Sequence, residues 1–387
     1  MIMAVLPFAF SDPQGRPLNN DQLDFAFVAD LPTAPIHSKK RASRSKPVAP
    51  ASDLALAHIP ETGPALETSA ASSAVGAAPA ILPVTAGDAE SIANTLDAHP
   101  DYRVLRRLQP RLQWPQAGEG QGVCRVIVLD TETTGLDQSR EKIIELALLR
   151  IDVDMATGMP VGSVQVYDGL EDPGISIPKE IEGITGINND MVRGQRLDED
   201  RIAALLDGVD LVIAHNAGFD RPFAEARIPR FQQLAWACSF ADIGWKDHGR
   251  SSAKLENLAL EMGCFYDAHR AEMDCHALLA VLAMPLPKLA HTGLAHLISQ
   301  GSKPSYRLQA TNAPFDAKDQ LKSRGYRWNA DQKVWHTRIG DADALREECE
   351  WLKEKVYHQR NAVVQIEKLD AGVRYSSRSG EVVHQQL

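Results

Sequence analysis

The chain has 387 residues, 44% hydrophobic and 24% charged, which suits about two globular domains of roughly 100–200 residues and excludes a fibre. Its formal net charge of −10 excludes a protein that coats nucleic acid by bulk electrostatics, since each neutralised phosphate needs a local Lys or Arg. A polyanionic substrate stays open where metal ions or local basic patches attract it.

Five scattered cysteines with no C-x-x-C pair indicate neither a disulfide framework nor a zinc knuckle and fit a reducing, cytoplasmic setting. The apolar opening Met1-Ile-Met-Ala-Val-Leu lacks a basic leader, and no run approaches the roughly 18–20 apolar residues of a span, so neither export nor a membrane partner is expected.

Residues 1–86 read as disordered: from about residue 30 they are rich in Ala, Pro and Ser without sustained periodicity. The basic cluster at 37–46 reads first as solvated linker, with contact to nucleic acid or a partner as the alternative. A helical lead-in is expected over 87–122, carried by Ala89, Ile92, Ala93, Leu96, Tyr102, Val104, Leu105 and Leu108. Its Arg103, Arg106, Arg107 and Arg111 read as solvated, or as paired with the acidic main domain, before they read as phosphate contacts.

Over 123–285 the pattern alternates between strand-like runs and helices. Strands are expected at 126–129, 143–153, 163–167, 211–214 and 235–238, with helices near 198–206, 219–226, 253–262 and 270–283. That order indicates an α/β fold, a mixed sheet flanked by helices. The glycine-containing loop 244–250, with Trp245 and Arg250, reads as an ordinary exposed loop, lining a substrate path as the alternative.

A linker at 286–304 precedes a small α+β module at 305–357, with a strand at 306–310, a helix at 317–323, a hairpin turning at 329–332 and a helix from Asp341. A polar tail, expected to be less ordered, fills 358–387 despite a short strand-like piece at 363–366. Between Lys303 and Arg338 eight Lys/Arg face three Asp, interleaved with Tyr306, Phe315, Tyr326, Trp328 and Trp335. Such a mixture suits a single strand or a strand–duplex junction, the alternative being that the aromatics are the core of a small domain.

Asp130 and Glu132 sit two apart at the end of a strand, so their side chains share one face. Paired carboxylates are the ligands that hard cations such as Mg²⁺ or Mn²⁺ prefer. Thr131, Thr133, Thr134 and Gly135 make a tight polar exit from a buried strand, where a backbone can approach a nucleotide closely. Asp220 follows another strand and falls at the carboxyl edge where open α/β sheets gather their sites. His269 and Asp274 bracket the first turn of a helix; alone, Asp274 reads as a capping or solvated carboxylate. An imidazole is nonetheless the natural base for taking a proton from water at neutral pH.

The segments Asp130-Thr-Glu-Thr-Thr-Gly, His215-Asn-Ala-Gly-Phe-Asp220 and His269-x-x-x-x-Asp274 together resemble the three motifs of the DEDDh 3′–5′ exonuclease superfamily. The likeness is greatest to the epsilon proofreading subunit of bacterial DNA polymerase III and its stand-alone relatives, and covers roughly 123–285. Ile143-Ile-Glu-Leu-Ala147, Ile184-Thr-Gly-Ile187 and Lys254-Leu-Glu-Asn-Leu-Ala259 match as well. A sister group carries tyrosine four positions before its last aspartate; Arg270 stands there, which leaves the histidine version.

The resemblance implies a ribonuclease-H-like sheet, its first three strands antiparallel and the later ones parallel. It also implies two Mg²⁺ or Mn²⁺ ions, with Asp130 bridging both, Glu132 and Asp274 completing one site, and Asp220 supporting the other largely through water. His269 would deprotonate the attacking water. Thr131, Thr133, Leu136, Asn216 and Phe219 are expected to grip the terminal nucleotide, with packing the alternative for Phe219.

The expected activity is metal-dependent hydrolysis at the 3′ end of DNA, releasing nucleoside monophosphates in repair or proofreading. Its partners would be single-stranded or 3′-terminal nucleic acid and a replication or repair protein. The alternatives are a 3′–5′ exoribonuclease, and a nucleic-acid or polymerase-binding adaptor that keeps the exonuclease fold. An adaptor has no need of intact Asp130, Glu132, Asp220, His269 and Asp274.

Overall fold

The computed structural model describes residues 86–118, 120 and 122–387; the expectations for residues 1–85, the basic cluster included, lie outside the described residues. Helix α1 (Ala86–Asp97) and the two-residue strand β1 (Arg106–Arg107) lead in. The helical pattern expected to reach Leu108 therefore stops at Asp97, and a turn over 98–101 precedes the strand β1. Four of the lead-in arginines are engaged within the chain. Arg106 pairs with Glu90 and Asp97, Arg107 with Asp267, Arg103 donates to the Leu260 carbonyl, and Arg111 stacks 3.8 Å from the Trp114 ring centroid.

Three long strands follow, β2 (Val123–Thr133), β3 (Ile143–Asp154) and β4 (Pro160–Leu170), then helices α2 (Lys179–Thr185), α3 (Asn189–Val192) and α4 (Glu199–Leu205). Next come β5 (Leu211–Ala214), α5 (Ala217–Arg227), β6 (Trp236–Cys238), α6 (Ser239–Asp242), α7 (Leu255–Glu261), β7 (Cys264–Phe265) and α8 (Ala271–Leu282). The sheet order is β4-β3-β2-β5-β6. β2, β3 and β4 pair antiparallel, and β5 and β6 join in parallel, as expected of the mixed sheet. β1 lies apart, paired in parallel with β7.

Alternation along β2 divides the core. Val126 and Val128 face one cluster with Ala147, Leu149 and the α8 residues Cys275, Leu278 and Leu282. Ile127 and Leu129 face the other, with Leu146, Leu148, Ile202 of α4 and Phe223 and Ala224 of α5. β2 and β3 are thus buried on both faces, which is why they read as nearly unbroken apolar runs.

Helix α9 (Gly293–Gly301) leads to the second unit, β8 (Ser305–Ala310), α10 (Lys318–Ser323), β9 (Arg327–Asn329), β10 (Val334–Ile339), α11 (Ala342–Trp351), β11 (Val363–Leu369) and β12 (Glu381–Gln386). These strands form an antiparallel sheet in the order β12-β11-β8-β10-β9. The segment 358–387, read as a polar tail, differs from that expectation: β11 pairs directly with β8, and Val364 and Ile366 enter the unit's core.

The basic excess of 303–338 is partly neutralised by later carboxylates, Arg307 by Glu367 and Arg324 by Glu348. Tyr326 is core, stacked near Trp351, whereas Trp328 is 50% and Phe315 83% exposed. Among the described residues, no helix is long and apolar enough to cross a membrane.

Candidate active site

Strand periodicity builds the site. Asp130 and Glu132 continue the Val126 and Val128 face of β2, the side covered by α8, and meet Asp274 from the first turn of that helix. One ligand oxygen from each of the three carboxylates lies within 4.8 Å of the others. Thr131 points to the opposite face, where α5 packs, and its backbone N–H and hydroxyl both donate to Asp220 Oδ1, at 3.1 and 2.8 Å. Asp220 is accordingly held on the α5 side of β2, outside the three-carboxylate group. Register aligns Leu129 with Ala214 and Ala214 with Cys238, so Asp130, His215 and Ser239 leave three adjacent strands at one level.

The loop before α8 is tied to Asp274. Its Oδ2 accepts the backbone N–H groups of His269 at 2.8 Å and Arg270 at 3.2 Å, while Oδ1 accepts the Tyr266 hydroxyl at 2.8 Å. His269 adopts a left-handed backbone (φ 64°), an uncommon state for a residue with a Cβ. The spacing between His269 and Asp274 is thus a hydrogen-bonded turn that sets the imidazole beside the carboxylates.

Two supports escaped the sequence reading. Tyr266 orients Asp274. Glu145, fully buried and directly opposite Glu132 in register, takes Arg270 Nη2 at 2.6 Å and the Ala271 N–H at 2.9 Å. This ties β3 to the start of α8. A glutamate inside the apolar run 143–149 was the available signal, since such a side chain is buried only with partners. Arg270, read only as a mark of subclass, is the cation that Glu145 binds.

The expected substrate-gripping residues separate. Leu136 is exposed and Asn216, also left-handed at φ 68°, opens α5 without capping it. Phe219 is partly buried, 5.1 Å from Phe223 and packed on the core. Thr131 and Thr133 are buried and spend their hydroxyls internally, Thr131 on Asp220 and Thr133 on the Gly135 carbonyl at 2.7 Å. Trp245 does not fit its expected exposed loop: it is 3% exposed and donates its indole N–H to the Ser239 carbonyl at 2.7 Å, while Arg250 pairs with Glu261.

Crowding of acids shifts their protonation. Burial, then the neighbouring Asp220, Asp274 and Glu132, pushes Asp130 well above the usual carboxylate range. Burial together with Asp274 and Glu145 pushes Glu132 up to about 8. Burial pushes Asp220 up to about 7 against the bonds from Thr131, and raises Asp274 against the Tyr266 hydroxyl. An all-oxygen set in which burial and crowding favour the protonated forms fits a hard divalent cation, whose charge favours the ionised form.

A raised carboxyl stabilises the fold below its unfolded pKa of about 4 and loses that contribution as pH rises through its folded value. With chelator present, the thermal midpoint should therefore fall towards pH of about 8, the value reached by Glu132. Added Mn²⁺ should raise the midpoint more at the alkaline end than near pH of about 5. Scanning fluorimetry across that range checks both, and an equal metal response throughout would contradict the carboxylate account.

This segment resembles known proteins. The chain is 28% identical over 188 residues to the DNA polymerase III subunit epsilon of Treponema pallidum, covering 46% of this chain and 83% of that one. It is 30% identical over 174 residues to the 3′–5′ exonuclease DinG of Bacillus subtilis, covering 43% of this chain but 18% of the relative. Among solved structures, Exonuclease X in complex with 5′ overhanging duplex DNA aligns at 20% identity and a TM-score of 0.30, over 44% of this chain and 99% of that one. Residues 127–282 match the RNase T family model, described as an exonuclease.

Proposed function

We propose that the chain is a divalent-metal-dependent 3′–5′ exonuclease that trims DNA 3′ ends and releases nucleoside monophosphates. The observation that carries this reading is the convergence of Asp130, Glu132 and Asp274 within 4.8 Å, beside a His269 whose backbone is bonded to Asp274. The 3′–5′ polarity and the DNA substrate are supported by the relatives, one a DNA polymerase III subunit and one named for that polarity.

When bound, divalent ions supply Lewis-acid activation of water and neutralise charge on the scissile phosphate. Asp130, Glu132 and Asp274 would hold them, with Asp220 supporting from the α5 side. His269 takes the proton from the attacking water at its imidazole. Leu136, which is exposed, and Phe219 would present apolar surface to the terminal base, and Asn216 a polar group. A replication or repair protein in the cytoplasm is the partner class this activity implies.

The test is turnover of matched single-stranded DNA, mismatched primer–template and RNA, each with Mg²⁺, Mn²⁺ or chelator. Metal-dependent loss of 3′ nucleotides, faster on DNA, is expected. Preference for RNA would favour the exoribonuclease reading, and binding without turnover the adaptor.

A further inference from the structure

Helix α5 carries Asp220 on one face and, one residue later, an arginine whose side chain is fully buried. Arg221 Nε donates to Glu225 at 2.6 Å, and its two terminal nitrogens are taken up by backbone carbonyls. Nη1 reaches Ala371 at 3.1 Å and Arg374 at 2.6 Å; Nη2 reaches Gly372 at 2.6 Å and Leu234 at 3.5 Å. Three of those four carbonyls belong to the connection between β11 and β12, about 150 residues further along the chain and outside the matched exonuclease segment.

The same connection closes the edge of the catalytic sheet. The Trp236 N–H on edge strand β6 donates to the Ala371 carbonyl at 3.0 Å, and Arg374 Nη2 donates back to the Trp236 carbonyl at 3.1 Å. Tyr375 is buried in the α5-side core and its hydroxyl donates to Asp242 on α6. Arg378 returns to α5 through Glu225 at 2.9 Å. A guanidinium removed from water needs this full set of acceptors, so Arg221 keeps its place only while the connection is docked.

We propose that residues 370–378 are a strap by which the carboxy-terminal unit holds helix α5, with Arg221 as the positioning residue that fixes Asp220. Asp220 and Arg221 are consecutive in α5, one clamped to β2 through Thr131 and the other to the strap. A shift of α5 at Arg221 moves Asp220 relative to the three carboxylates. The kinetic part of this inference rests on the exonuclease reading; the structural part does not.

Three substitutions in the full chain test it. Arg221→Lys keeps the charge and loses the fork, whereas Arg374→Ala and Tyr375→Phe cut the strap at β6 and α6 without touching a metal-ligating carboxylate. Amide exchange over α5 should accelerate by about tenfold or more while β3 stays at the wild-type rate. Calorimetric titration with Mn²⁺ alone should show weaker binding, and kcat should fall at limiting Mn²⁺ and recover with excess, at unchanged KM for DNA.

Wild-type α5 exchange and Mn²⁺ affinity in Arg374→Ala, with exchange of 370–378 itself accelerated, would overturn the proposal. So would acceleration spread evenly over the sheet, which marks general destabilisation. If Arg221→Lys fails to fold, the two strap variants decide. If the wild-type protein degrades no nucleic acid yet α5 exchange and Mn²⁺ affinity change as stated, the exonuclease reading fails and the strap stands.

Discussion

Asp130→Asn is expected to cut turnover by about a thousandfold or more, equivalent to about 4 kcal/mol of barrier, while leaving the fold intact. The side chains are nearly isosteric, so packing on the α8 side of β2 is kept and only charge is lost. The same change should stabilise the protein in chelator, because Asp130 is pushed up by burial and by Asp220, Asp274, Glu132 and Glu145 around it. It should also abolish most of the rise in thermal midpoint on adding Mn²⁺. Activity and metal-free stability thus move in opposite directions, a signature that simple unfolding cannot produce. Single-turnover cleavage and scanning fluorimetry on one preparation check both, and wild-type turnover would remove Asp130 from the site.

His269→Asn has the second largest expected effect. Asparagine tolerates the left-handed backbone found at this position, so the substitution removes the imidazole without adding strain, and the N–H bond to Asp274 is retained. Loss of a general base costs about 100- to 10,000-fold in kcat. Mn²⁺ affinity should change little, since the carboxylate set is intact. Comparing kcat with the calorimetric Mn²⁺ affinity separates the roles: a large loss of affinity would make His269 a ligand, and an unchanged kcat would remove its role as base.

Much of the sheet was legible because its strands obey simple periodicities. β2 and β3 announce themselves as apolar runs buried on both faces, and two-residue alternation alone sets Asp130 and Glu132 on one side and Thr131 on the other. The same alternation turns Thr131, and with it the Asp220 it bonds, to the α5 side, a point the spacing of motifs does not carry.

What stayed hidden depends on non-local partners. Glu145 is noted in the sequence only as part of a matching segment; its role comes from Arg270 and the Ala271 N–H across 125 and 126 residues. The lead-in departs from a helix because Arg106 and Arg107 pair with Cys264 and Phe265, far along the chain. The last 30 residues looked polar because β12 is an exposed edge strand and the strap works through carbonyls, which any sequence supplies. Trp245 sits among glycine and charged residues, yet the fold closes over it.

In the proposed reaction, nucleotides are removed from a 3′ end at the three-carboxylate site. Its most direct test is one single-stranded DNA labelled separately at each end and incubated with Mg²⁺, alongside Asp130→Asn. The 5′ label should descend through a stepwise ladder, the 3′ label should leave at once as a mononucleotide, and the variant should do neither. A 3′ label retained while the 5′ label is released, or equal activity in the variant, would contradict the account.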